Sequence, residues 1–115
     1  MAFFTLSRSD NGSWWFRLIA RDGGLLLSSE PFASRELALQ GIDEVRIRSV
    51  VDAGFLRHHT AVMQHSFTLC SASQGVIGRS PIYASAPEME TAIEHIKQRA
   101  HSATVRDANN GEGSH

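Results

Sequence analysis

The constraint that most narrows the fold is an internal register. Shifted by 51 positions, WFRLIARDGGLLLSSEPFAS (15–34) falls without a gap on SFTLCSASQGVIGRSPIYAS (66–85). Phe16 meets Phe67, Leu18 meets Leu69, Gly24 meets Gly75, Leu26 meets Ile77, Ser29 meets Ser80, and Phe32 meets Tyr83. The same shift carries Phe4 onto Phe55, Gly41 onto Ala92, Ile42 onto Ile93, Val45 onto Ile96, and Arg48 onto Arg99. One register held from residue 4 to residue 48 implies a duplicated unit, and a repeat of this kind dictates the architecture.

Each copy reads as three strands and a helix. Strands are expected at Phe3–Arg8, Trp14–Arg21 and Leu25–Ser29, and again at Gly54–Ala61, His65–Ala72 and Val76–Ser80. Asp10-Asn11-Gly12, Asp22-Gly23-Gly24 and Ser73-Gln74-Gly75 supply the turn chemistry. The first hairpin of the second copy has no glycine. Ser34 and Ser85 are helix N-caps, and Ser85-Ala-Pro-Glu88 has capping-box spacing. Ala38, Gly41, Ile42 and Val45 in one helix, and Met89, Ala92, Ile93, Ile96 and Ala100 in the other, form an inward stripe of helical period. Small residues at Gly41 and Ala92 let each helix approach the sheet closely. Val50–Gly54 is too short and apolar for a free linker, so both copies are expected in one sheet. Residues 1–52 are read as the first repeat and 53–107 as the second, together one compact domain. Ala103–Asp107 can add a last strand, and 108–115 is expected to be disordered.

These residues resemble the YegP-like family of small bacterial proteins of uncharacterised function. The resemblance is carried by Phe4-Thr-Leu6, Trp14-Trp15-Phe16-Arg17-Leu18, Asp22-Gly23, Ser29-Glu30-Pro31-Phe32-Ala33-Ser34 and Gly41-Ile42-Asp43-Glu44-Val45. The second copy adds Phe67-Thr-Leu69, Gly75-Val76-Ile77-Gly78, Ser80, Tyr83 and Ile93. It implies an α+β fold: duplicated β-β-β-α units sharing one antiparallel sheet, two helices on one face, and the strand after each helix exchanged between units. It implies no catalytic residue. The second copy departs from the first at Thr68, which replaces Arg17, and at Pro81, which replaces Glu30.

Successive strand residues point to opposite faces. If Phe16 and Leu18 face the helices, so do Trp14, Ala20 and Leu26, while Trp15, Arg17 and Ile19 turn outward with Leu25 and Leu27. That open face of the first repeat is the candidate binding surface: Trp15, Arg17, Ile19, Leu25 and Leu27. The equivalent face of the second repeat is milder, with Ser66, Thr68, Cys70, Val76 and Gly78. A contiguous apolar patch calls for a partner where single apolar residues do not. The leading expectation is a non-catalytic module for protein–protein contact or self-association. Single-stranded nucleic acid is the rival, with Trp15 and Arg17 stacking and Arg46, Arg48 and Arg57 forming a basic rim. A small enzyme stands third.

Formal net charge is −1, from 11 basic and 12 acidic residues, which lacks the concentrated positive charge of most constitutive nucleic-acid binders. Cys70 is the single cysteine, in keeping with a reducing cytoplasm. The opening MAFFTLSRSD has no basic n-region or long apolar run, so no secretory signal is expected, nor is any membrane span. His58, His59 and His65 lie near Cys70, but alternation sends His58 and His59 to opposite faces, so no metal site and no cofactor are expected. His95 and His101 are six apart in sequence and form no pair. There is no G-x-S-x-G elbow and no phosphate loop. Ser29-Glu30 is read as a turn that ends a strand and sets the helix.

Overall fold

Three strands, β1 (Phe3–Arg8), β2 (Trp14–Ile19) and β3 (Leu25–Ser29), lead into helix α1 (Arg35–Arg48). The order recurs as β4 (Phe55–Ala61), β5 (Gln64–Cys70), β6 (Val76–Arg79) and α2 (Ala86–Arg99), followed by β7 (Thr104–Asp107). The computed structural model describes residues 2–73 and 75–107, so the expected disordered tail at 108–115 lies outside the described residues. Among the described residues no helix is long and apolar enough to cross a membrane.

The local chemistry follows the expected register. Ser34 Oγ accepts from Leu37 N–H and Ser85 Oγ accepts from Glu88 N–H. Ser85 Oγ also donates to the Glu88 carboxylate at 2.8 Å, a side-chain version of the capping box. Ser29 Oγ accepts from Phe16 N–H and Ser80 Oγ from Phe67 N–H, both at 2.9 Å. These serines therefore satisfy ladder donors that no strand neighbour reaches. The glycine-free hairpin turns through Met63, whose φ of 63° is left-handed.

The seven strands run β4-β5-β6-β3-β2-β1-β7 in one sheet. The halves join where β3 meets β6 antiparallel, Ser28 opposite Arg79 and Ser29 opposite Gly78. The expected all-antiparallel sheet needs one correction. Strand β7 runs parallel to β1, Phe3 opposite Thr104 through Leu6 opposite Asp107, so the sheet is mixed. Through β2 and β3, β6 runs antiparallel to β1, so β7 is antiparallel to β6, the strand that precedes α2. Helix α2 carries the chain across the sheet to its far edge. The implied strand exchange is seen on one side: the strand after α2 edges the first half, whereas the strand after α1, β4, pairs only with β5 of its own half.

Both helices cover one face. Phe4, Leu6, Phe16, Leu18, Phe67 and Leu69 are at most 1% exposed beneath Ile42, Val45, Met89, Ile93 and Ile96. A Cβ on Gly41 would sit 2.7 Å from Phe32 and 3.0 Å from Phe16, so this position holds α1 at a distance only glycine permits.

A second correction concerns face assignment in β3 and β6. Leu18 pairs with Leu27 but Ile19 pairs with Leu25, so β3 carries an extra residue at a β-bulge. Alternation breaks there: Leu27 faces the helices and is fully buried, while Leu26 is only 6% exposed. Leu69 opposite Gly78 and Cys70 opposite Val76 give β6 the same bulge, so Gly78 also turns inward. Leu27 therefore leaves the candidate surface, and Gly78 leaves its counterpart. These two positions, equivalent at the spacing of 51, compete for one space: a Cβ on Gly78 would lie 2.7 Å from Leu27 Cγ.

Strand β4 is clamped to α2 by charge. Arg57 reaches Glu90 at 2.6 Å and Asp52 at 3.1 Å, and Lys97 reaches Asp52 at 2.6 Å. The Arg57 hydrogen bond holds the Glu90 carboxyl below its ordinary range, and Lys97 first, then Arg57, do the same for Asp52.

Gly78→Ala is expected to destabilise by about 1–3 kcal/mol through overpacking. In a Leu27→Ala background the same change should be far milder in urea unfolding, and equal penalties in both backgrounds would show that the two sites do not share a space. Depressed carboxylate pKa values stabilise the fold above the unfolded-state pKa and lose that contribution as pH falls through the folded-state value. The stability gap between wild type and Arg57→Gln should therefore be present at pH 7 and shrink below about pH 4.5, read from urea midpoints across pH.

Candidate functional site

Residues directly opposite one another on neighbouring strands share a face. The register places one line of such residues across six strands: Arg106 opposite Thr5, Thr5 opposite Arg17, Arg17 opposite Ser28, Ser28 opposite Arg79, and Arg79 opposite Thr68. Their chain neighbours Phe4, Leu6, Phe16, Leu18, Phe67 and Leu69 are buried under the helices, so the line lies on the face away from them. That face is open as far as Arg79 and closed at its β5 end, where Thr68 is buried beside His58. Arginine and hydroxyl residues alternate along it. Strands are about 4.8 Å apart, which sets successive arginines of the line about 10 Å apart.

Two of these arginines lie over aromatic rings on the same face. The Arg17 guanidinium is 4.3 Å from the Trp15 ring centre, and that of Arg106 is 3.9 Å from the Phe3 ring centre. Phe3 sits opposite Ile19, and Ile19 opposite Leu25, which extends the apolar strip. Neither Arg17 nor Arg106 forms an ion pair among the described residues, whereas Arg79 binds Glu30 at 2.7 Å. The two unpaired guanidiniums are thus held against rings and left available to an anion.

The helix layer behaves differently. It carries Glu36, Asp43, Glu44, Glu88, Glu90 and Glu94. Arg46, Arg48 and Arg57 belong to this side and not to a rim of the open face. Arg46 donates to Asp43 and to the Ala103 carbonyl, Arg48 to the Cys70 carbonyl, and Arg57 to Glu90. The helix-layer carboxylates are largely offset within the helices by Arg35, Arg46, Arg48, Lys97 and Arg99, while the open face carries Arg17, Arg79 and Arg106 against Glu30.

Of the five expected site residues, Trp15, Arg17, Ile19 and Leu25 come together and Leu27 does not. Phe3, Arg79 and Arg106 join them. The bulge accounts for Arg79: the extra residue that turns Leu27 and Gly78 inward also turns Ser28 and Arg79 outward. Arg106 and Phe3 become neighbours through the parallel β1–β7 pairing.

The histidines are paired locally. His58 Nε2 lies 2.9 Å from Thr68 Oγ1 on the open face, and His59 Nδ1 lies 2.7 Å from His65 Nδ1. Among the described residues no three His, Cys, Asp or Glu side chains are placed to hold one metal ion. Cys70 is a half-buried free thiol.

The sequence model for the family described as "Domain of unknown function (DUF1508)" matches this chain twice, at residues 9–52 and 63–107. The chain belongs to this family. The UPF0339 protein YegP of Escherichia coli K12 is 33% identical over 105 residues, spanning 91% of this chain and 96% of the relative. The UPF0339 protein PA0329 of Pseudomonas aeruginosa is 30% identical over 106 residues, spanning 92% of this chain and 96% of its own. The solution NMR structure of E. coli YegP, a protein of unknown function, superposes with a TM-score of 0.86 at 33% identity, covering 93% of this chain and 92% of that one. That of the UPF0339 protein SO3888 from Shewanella oneidensis gives 0.87 at 26% identity, covering 92% and 90%. This chain thus has the YegP-like fold, a mixed seven-stranded sheet with two helices.

Trp14 packs against the core while Trp15 lies outside it under Arg17. In single-tryptophan variants, Trp15 emission should be quenched by acrylamide more strongly than Trp14 emission. Replacing Arg17 with alanine should raise Trp15 quenching further and leave Trp14 unchanged.

Proposed function

We propose that this protein is a non-catalytic binding module that holds a single-stranded nucleic acid on the open face of its sheet. The observation that carries this reading is the row of Arg17, Arg79 and Arg106, with Trp15 and Phe3 beneath two of the guanidiniums. A guanidinium presents forked donors to phosphate, and aromatic faces accept bases of any sequence. A base can also stack on a guanidinium plane, so each Arg–ring pair is a two-layer platform. The described part of the C-terminal segment adds to the edge of the sheet as β7 and leaves this face open. The face offers charge and stacking, not a convergent nucleophile and base, which supports a binding role over a catalytic one. We read the two halves as copies of one unit working as a single domain in the bacterial cytoplasm.

A second reading has its own observation. Trp15, Ile19 and Leu25 keep part of their apolar surface outside the core, and burying such groups drives association with a protein or a second copy.

The test is fluorescence anisotropy with a labelled single-stranded 12-mer, at low and at moderate salt. Binding should weaken with salt, and Arg17→Ala should flatten the slope of log K against log salt by about 0.7. Trp15→Ser should lower affinity about tenfold, within the range of one lost stacking contact. No binding at low salt, or binding indifferent to both substitutions, would remove this reading. A mass that rises with concentration and falls in Trp15→Ser would support association instead.

A further inference from the structure

At the β1–β7 end, the arginine row runs into a cavity of about 490 Å³ lined by Ala2, Phe3, Arg21, Thr104 and Arg106. Arg106 belongs to both: it is the last residue of the row and one wall of the cavity. Arg21, just beyond β2, also lines it and borders a second cavity of about 450 Å³ with Asp22, His95 and Arg99. Arg21, Arg99 and Arg106 are exposed and form no ion pair among the described residues. The nearby acids are engaged: Asp22 Oδ1 accepts from Gly24 N–H at 2.9 Å, and Glu94 lies 3.5 Å from Lys97 Nζ.

We infer that this corner is a site for a phosphate monoester, and that its occupant is the phosphorylated end of a strand lying along the row; the second part rests on the function proposed above. Charge decides the class. A phosphodiester inside a strand carries one negative charge, whereas a monoester carries about −1.5 to −2 at pH 7. A pair of guanidiniums without carboxylate partners, in a cavity that Thr104 also lines, discriminates in favour of the more highly charged group. Position decides the end. The cavity flanks the row at its β7 end, displaced along the strands to Phe3 and Thr104. The sheet itself has its edge there, so a strand crossing the sheet can bring a terminus to the cavity. Phe3, already under Arg106, offers a ring for the terminal base.

The same monoester chemistry occurs on a free nucleotide, and the experiment separates the two sources. Anisotropy is measured with one internally labelled oligonucleotide bearing a 5′-phosphate, a 3′-phosphate or neither, alongside an NMR titration with adenosine monophosphate. One of the phosphorylated strands is expected to bind about tenfold more tightly than the unphosphorylated strand, and Arg21→Gln should bring that ratio to one. Adenosine monophosphate is expected to shift the amides of Phe3, Arg21 and Thr104. If all three strands bind equally, the corner is not an end site, although the row still holds strands. If no strand binds but adenosine monophosphate shifts those amides, the monoester site is supported and its occupant is a free nucleotide. If neither strand ends nor adenosine monophosphate engage the corner, the inference is overturned.

Discussion

The pairing of β3 with β6 is the contact on which the rest of the molecule depends. Two opposed residue pairs, Ser28 with Arg79 and Ser29 with Gly78, join two three-stranded layers into one sheet. Each half alone would have one helix over a short sheet, too little core for independent stability. Joined, they bury one contiguous cluster that runs from Phe4 and Leu6 to Leu69 and Ile96. The junction is tight because it is unequal. Leu27 fills the space its counterpart Gly78 leaves, and two leucines could not occupy it.

The same contact builds the candidate surface. Arg17 belongs to the first half, Arg79 to the second, and Arg106 to the strand that returns from the second half to edge the first. They form one line only because the sheet is continuous and the bulges bring Ser28 and Arg79 to the open side. Charge is then divided by layer. On the helix side arginines are matched with carboxylates or carbonyls, as Arg57 is with Glu90 and Arg48 with Cys70. On the sheet side, Arg17 and Arg106 rest on rings. Cation–π contacts of this exposed kind are weak, about 0.5–1 kcal/mol. Their consequence is order: side chains already held in place lose less entropy on binding.

How much of this was legible in the residues depends on whether the information was local. Ser34 and Ser85 marked the helix starts because capping is decided within four residues. The spacing of 51 helped to place the three strands of each half because it sets one half against the other, whereas β7 was expected only as an added last strand. Trp15, Arg17, Ile19 and Leu25 were placed correctly because strict alternation holds through β2 and into the start of β3. Leu27 was misplaced because a bulge is a property of two strands together, and no residue of LLLSS announces it. The parallel β7 was misread as part of an antiparallel sheet because its partner, β1, lies at the other end of the sequence and no local residue sets their relative direction. Arg79 and Arg106 were missed for the same kind of reason: each joins the surface through a pairing distant in sequence.

Under the proposed function, the open face, and not the helix layer, meets the ligand. The most direct measurement follows the arginine Nε–Hε resonances during a titration with single-stranded oligothymidylate at low salt. Binding on this face predicts that Arg17, Arg79 and Arg106 shift together, along with the Trp15 indole N–H, while Arg35, Arg46 and Arg57 stay still. Shifts confined to the helix-side arginines, or none at millimolar oligonucleotide, would contradict it.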